Sequence, residues 1–169
     1  MPDRNFIAAA CLFVLSASAV AQPAGLTVSF IHPESYTDAA YSRSFPSEKD
    51  RAEVMRDIER HLQSLASRTL PPGDALRIEV LDVDLAGHFE PWRAPSAADL
   101  RVMRGVTWPR MQLRYTLTQG GQVVASGEER IADQNYLLTV NRYSTSDRLR
   151  YEKAMLDDWF DRRIVKRQG

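Results

Sequence analysis

The densest chemistry in the sequence lies at Asp82, Asp84, His88 and Glu90. Three carboxylates and an imidazole in so short a stretch could hold a divalent cation, and the site would serve a metal-binding protein or a metal-assisted hydrolase. The calcium-loop pattern, with its glycine and closing glutamate, is absent. The three histidines, His32, His61 and His88, fall on three separate elements and not at zinc-ligand spacing. His61 reads simply as a histidine flanking an apolar helix stripe. Ser126 lies inside a predicted hairpin, and no histidine follows His88, so the sequence offers no serine-hydrolase arrangement. The adjacent acids Glu128-Glu129 and Asp157-Asp158 diverge on a strand or a helix, so neither makes a glycosidase pair. No glycine-rich phosphate loop occurs. The sequence therefore assigns no catalytic residue and no cofactor.

A second chemistry is recognition. Phe89, Trp92, Trp108 and Tyr136, with Tyr143, flank irregular segments, where aromatic side chains can anchor a protein partner or a small apolar ligand. Phe89 and Trp92 are also the residues expected to pin their loop to the body of the fold. A binding module acting through the face from Phe89 to Trp108 is the leading reading, with the four-residue metal set as its alternative.

These residues must be positioned by the elements around them. Leu76, Ile78 and Val80 share one parity, whereas Leu81, Val83 and Leu85 share the other. A bulge near Val80-Leu81 reconciles the two and turns Asp82 and Asp84 to solvent. Met111 to Leu117 alternates apolar and polar, and Gly120-Gly121 supplies a turn before a return strand to Ile131. A three-residue loop, setting Leu117 opposite Val123 and Tyr115 opposite Ala125, keeps the apolar set on one face, with Glu129 its one awkward member. Pro109 belongs at a strand start, bulge or edge. Ser47 caps a helix whose stripe is Val54, Ile58, Leu62 and Leu65, ending near Arg68 before Pro71-Pro72-Gly73. Ser146 and Asp147 open a second helix with the stripe Leu149, Leu156, Trp159 or Phe160, and Ile164. Residues 34–46 read as an ordered loop, and residues 133–144 as apolar enough to lie along the core edge. Strand, helix, strand, long loop, hairpin and helix together predict an α+β two-layer sandwich, a mostly antiparallel sheet of about four strands with both amphipathic helices on one face.

Residues 1–21 read as a cleavable signal peptide: Arg4, an apolar run from Phe6 to Leu15, and Ala19-Val20-Ala21 as the cleavage site. A lipoprotein site at Cys11 would leave only Phe6 and Ile7 as its hydrophobic region, so the expected mature chain is residues 22–169, one domain, periplasmic or secreted. Cys11 is the only cysteine, so that chain lacks disulfides and thiolates. No later segment is apolar enough to span a membrane. Lysine plus arginine balance aspartate plus glutamate at 22 each, which gives no case for nucleic acid as a partner. The basic tail, Arg162-Arg163 and Lys166-Arg167, suits a solvated helix end.

Four segments carry a family resemblance: Leu85-Ala86-Gly87-His88-Phe89-Glu90-Pro91-Trp92-Arg93, Trp108-Pro109-Arg110, Ser126-Gly127-Glu128-Glu129, and Leu149 to Phe160. In this order they resemble the exported Gram-negative bacterial proteins catalogued as domain of unknown function 3016. The resemblance implies an exported protein without an established activity and supplies no catalytic residues.

Overall fold

The computed structural model describes residues 25–42, 47–90, 92 and 100–166. Strand β1 (Gly25–Phe30) leads through a 3-10 turn (Pro33–Ser35) to helix α1 (Glu48–Thr69) and strand β2 (Ala75–Asp84). Two short strands, β3 (His88–Phe89) and β4 (Arg101–Val102), precede the hairpin β5 (Arg110–Gln119) and β6 (Gln122–Ala132). Helix α2 (Arg150–Phe160) then runs into a π-helical turn, Asp161–Val165. The main sheet has the order β1-β2-β5-β6, and β3 pairs with β4 in a separate ribbon. The fold is therefore α+β, and its sheet is mixed: β5 is antiparallel to both neighbours, but β1 and β2 are parallel. The parallel pair follows from α1, which returns the chain to the starting end so that β2 runs in the same direction as β1.

Helix α1 forms as its sequence dictates. Ser47 Oγ accepts the backbone N–H of Asp50 at 3.1 Å, with Glu48 and Asp50 in the first turn, where the helix dipole favours acids. Val54, Ile58, Leu62 and Leu65 are all buried. The α2 stripe is likewise buried at Leu149, Leu156, Trp159, Phe160 and Ile164. The helix itself begins at Arg150, later than Ser146-Asp147 predict, because Asp147 instead closes a local turn by accepting the Leu149 N–H at 2.9 Å. These side chains share one core with Leu76, Ile78, Val80, Val83, Met111, Leu113, Tyr115 and Leu117.

Two bulges set the faces of the sheet. Val80 pairs with Leu113 and Asp82 with Gln112, so Leu81 is the extra residue and the core parity passes from Val80 to Val83, as the sequence predicts. The second bulge corrects the expected hairpin. Gln119 pairs with Gln122, so the loop is the two residues Gly120-Gly121, both at positive φ. Val124 then bulges, and Leu117 faces Ala125 while Tyr115 faces Gly127. The predicted face survives from Ala125 to Ile131, but each partner shifts by two residues and Val123 is left exposed. Glu129 finds its place through Arg163, whose Nε lies 2.9 Å from Oε1.

Beyond β2 the chain turns at Gly87, which has φ +77°. A Cβ there would stand 2.7 Å from Met103 Sδ and 2.8 Å from the Val102 carbonyl oxygen. Gly87→Ala is expected to cost about 2–3 kcal/mol through combined strain and overpacking, lowering Tm by roughly 5–10 °C. An unchanged melting curve would refute this account of the corner.

Candidate functional site

The predicted metal ligands do not converge. Past the Leu81 bulge, Asp82 and Asp84 point to the outer face of the sheet, where other groups already satisfy them. Asp82 accepts the N–H of Thr37 at 2.7 Å and its hydroxyl at 2.8 Å. Asp84 does not reach solvent as expected. It is buried against Arg110, whose Nε donates at 2.9 Å, at the end of β2 where Asp38 forms a parallel bridge alongside it. Glu90 is gripped by Arg104 through Nε at 2.6 Å and Nη2 at 3.0 Å. His88 is exposed on β3. Among the described residues no three histidine, cysteine or acidic side chains gather where they could hold a metal. A polar cleft of about 230 Å³ remains between Thr37, Asp82, Asp84, Arg110, Gln112 and Arg130.

The aromatic set divides. Tyr136, expected at a binding face, is 1% exposed. It packs edge-on against Tyr151 at 4.7 Å and donates its hydroxyl to the Arg104 carbonyl at 2.8 Å. Tyr136, Tyr151 and Ala86 form a second small core, with Trp108 and Met103 packed half-buried against it. Phe89 is half-buried beneath the Arg101 guanidinium, 4.4 Å above its ring. Trp92 does not pin its loop, since it is 76% exposed.

Arg101 ties this end together. It takes Asp38 in a two-pronged pair at 2.8 and 2.9 Å and donates to the carbonyls of Ala40 at 2.8 Å and Gly87 at 3.0 Å. Residues 86–89, 101–109 and 133–140 are thus held on one frame, yet they carry large apolar side chains in water: Val106 at 75%, Leu138 at 85% and Val140 at 102% exposed. The expectation that residues 133–144 line the core edge holds for Tyr136 and, in part, for Tyr143, whereas Leu137, Leu138 and Val140 are exposed.

Two buried polar nodes escape sequence reading. His61 is no mere flank residue: it is buried, with Nε2 2.9 Å from Asp157 Oδ1, and packs edge-on to Tyr143 with ring centroids 5.6 Å apart. The Tyr143 hydroxyl donates to Asp157 Oδ2 at 2.6 Å, and Arg142 pairs with the same oxygen. Burial works to raise the Asp157 pKa, but the hydrogen bonds from His61, Tyr143 and Arg142 outweigh it and hold the carboxyl below its ordinary range. Burial pushes the Tyr143 phenol up to about 12, with the Asp157 carboxylate adding to it. An imidazole held by a carboxylate is half of an acid–base relay. Here, among the described residues, no serine, threonine or cysteine is hydrogen-bonded to His61, so the node fastens α1 to α2. The other node is Glu152, deep in the first turn of α2, whose Oε1 accepts the Ala86 N–H at 2.7 Å while Oε2 has no donor among the described residues. The only cue in the sequence for either node was an acid or histidine at the edge of an apolar helical stripe.

The fold is thus α+β with a mixed sheet, in which Asp84 and Glu90 are each paired with an arginine, Asp82 is held by Thr37, and large apolar side chains stand exposed near the end that Arg101 ties together. Residues 24–162 match the model of a family described as a protein of unknown function, DUF3016, and the chain belongs to that family. No curated protein and no solved structure matches it.

Proposed function

We propose that this chain is a non-catalytic interaction module of the cell envelope, acting through the end of the fold that carries Val106, Leu138 and Val140. The observation that carries the reading is the exposure of these side chains on segments that Arg101 and the Tyr136 core hold rigid. Proteins rarely leave several large apolar side chains so exposed on one ordered end without a use for them. Side chains standing this far out of the surface insert into a partner and cannot enclose a small ligand, so the occupant is a protein with an apolar recess. Of the aromatic residues first considered, Tyr136 supports this surface from beneath. The envelope assignment rests on the leader-like residues 1–21 and their Ala19-Val20-Ala21 end. The architecture is read as a two-layer sandwich with both helices on the apolar face, supported by the single parity of the sheet residues in the main core.

In the native host, a photo-crosslinking residue at position 138 or 140 is expected to give a discrete protein adduct, and one at Arg77, on the outer face of β2, none. Adducts at all three positions, or at none, would end this reading. N-terminal sequencing of the protein from the envelope fraction is expected to begin at Gln22.

A further inference from the structure

The two outer strands of the main sheet are finished differently. Along β1, Gln63 of α1 donates to the Leu26 carbonyl at 3.4 Å and so covers part of that edge. Along β6, no further strand pairs among the described residues. Which of its backbone groups face outward follows from the alternation of an antiparallel ladder. The Asp133 N–H bonds to the Pro109 carbonyl at 3.3 Å, two residues beyond the pair of Met111 with Ile131, so Ala125, Gly127, Glu129 and Ile131 bond inward to β5. Ser126, Glu128, Arg130 and Ala132 then turn their N–H and carbonyl groups to the open edge, and all of them are exposed. Such an edge is a template for another strand. The outer face of the sheet indicates which strand. Glu79, Arg114 and Glu128 stand opposite one another on β2, β5 and β6, and Arg114 pairs with Glu79 at 2.8 Å and with Glu128 at 2.9 Å. This row of alternating charge ends at the edge on an acid. The next row, Asp82, Gln112 and Arg130, ends on a base, and Arg130 has no side-chain partner among the described residues.

We infer that a second copy of this chain adds to this edge, its β6 antiparallel to the first about a two-fold axis at Glu129, so that the sheet runs on through both copies. In that register Glu128 of each copy stands opposite Arg130 of the other, and Ser126 opposite Ala132, and each pair can exchange both backbone hydrogen bonds. Both charge rows then continue across the axis, an acid meeting a base each time. Moving the axis by one residue sets Glu128 against Glu128 or Arg130 against Arg130, and moving it by two sets neither opposite an opposite charge. Charges on an edge strand ordinarily keep other strands away. Here they admit one partner in one register. Glu129 meets its copy at the axis on the inner face, where each carboxylate already has its own cation, Arg163, with Nε at 2.9 Å. The contact uses the same patch of both copies and therefore closes as a dimer. It is separate from the apolar loops, so it stands or falls independently of the partner surface proposed above.

The test is sedimentation equilibrium of the protein purified from its native host, from low to high micromolar concentration. A rise with concentration to twice the chain mass is expected. Arg130→Glu sets acid against acid on both sides of the axis and should weaken association at least tenfold, and Glu128→Arg, setting base against base, should do the same. Mixed together, the two variants should associate, because every acid then faces a base again, and that rescue reads the register itself. Arg77→Gln on β2 should leave the dimer unchanged. Because Arg130 is exposed, a melting curve for Arg130→Glu that matches the native one at dilution will show that the loss is at the edge and not in the fold. Should Glu128→Arg fail to fold beside Arg114, Glu128→Gln added to Arg130→Glu removes the repulsion across the axis and should restore part of the association. A native chain that stays monomeric throughout, a dimer indifferent to Arg130→Glu, or two folded variants that do not associate on mixing would overturn the inference.

Discussion

Glu152→Gln is expected to abolish a loss of about 3 kcal/mol in stability that the native chain suffers as the pH rises from 4.5 to about 7. Burial pushes the Glu152 carboxyl from 4.5 up to about 7, against the Ala86 N–H, its own backbone N–H and the Arg101 charge, all of which lower it. The sign follows from proton counting. Below 4.5 the group is protonated in both states and contributes its full share. Between 4.5 and about 7 the unfolded chain releases a proton that the folded chain retains, so the unfolded state binds fewer protons and stability falls as pH rises. Above about 7 both forms are ionised and the loss is complete. At 1.36 kcal/mol per unit, the interval amounts to about 3 kcal/mol. The substituted glutamine side chain would keep an acceptor for the Ala86 N–H and never ionise. Denaturant unfolding of both proteins across this range is the measurement: the difference between the curves should grow with pH and level off at about pH 8. Parallel curves would mean that the folded carboxyl ionises near its ordinary value. The effect would reach function, because Ala86 belongs to the small core of Tyr136 and Tyr151 that carries the apolar loops. Ionising Glu152 would loosen the frame of the proposed partner surface.

What the sequence could disclose follows the range of its signals. The α1 stripe and the Leu81 bulge were legible because each is written in local periodicity, and one face of each element meets one core. The hairpin's inner face was legible for the same reason, but its register was not. Val123 and Val124 are both exposed, so neither marks which of them is the extra residue, and parity is blind to a shift of two. In the loops periodicity vanishes. Nothing local separates Trp92, standing in solvent, from Tyr136, sealed in a core, because that distinction depends on Arg104 and Tyr151, which the fold brings to Tyr136 and not to Trp92. The metal reading of Asp82, Asp84 and Glu90 failed for a related reason: the arginines that neutralise two of them, Arg110 and Arg104, lie on later elements. The π turn that follows α2 leaves no trace in residue spacing at all.

The largest single loss is expected from Asp157→Ala, at about 3–5 kcal/mol, whereas Asp158→Ala next to it should stay within about 0.5 kcal/mol. The two acids are neighbours in sequence, but Asp158 is exposed, and Asp157 receives His61 from α1, and Arg142 and Tyr143 from the preceding loop. Removing it strands a buried imidazole and a phenol at once, and unmade hydrogen bonds inside the fold cost more than made ones contribute. Asp157→Asn, which keeps acceptor capacity but discards the charge, should fall between the two. A pH test separates charge from packing. The Asp157 carboxyl is held below 3.8 when folded, so its contribution is present above 3.8 and vanishes as the pH falls through the folded value. The native protein should therefore lose stability on acidification in that window, and Asp157→Ala and Asp157→Asn should each show a shallower acid limb. A full acid limb in both variants, or a cost for Asp157→Ala below about 1 kcal/mol, would mean that the contact between α1 and α2 rests on Ile58, Leu62 and Phe160 and that the polar node is incidental. The expected result instead makes one carboxylate the fastening between the two helices, with His61 an essential part of it.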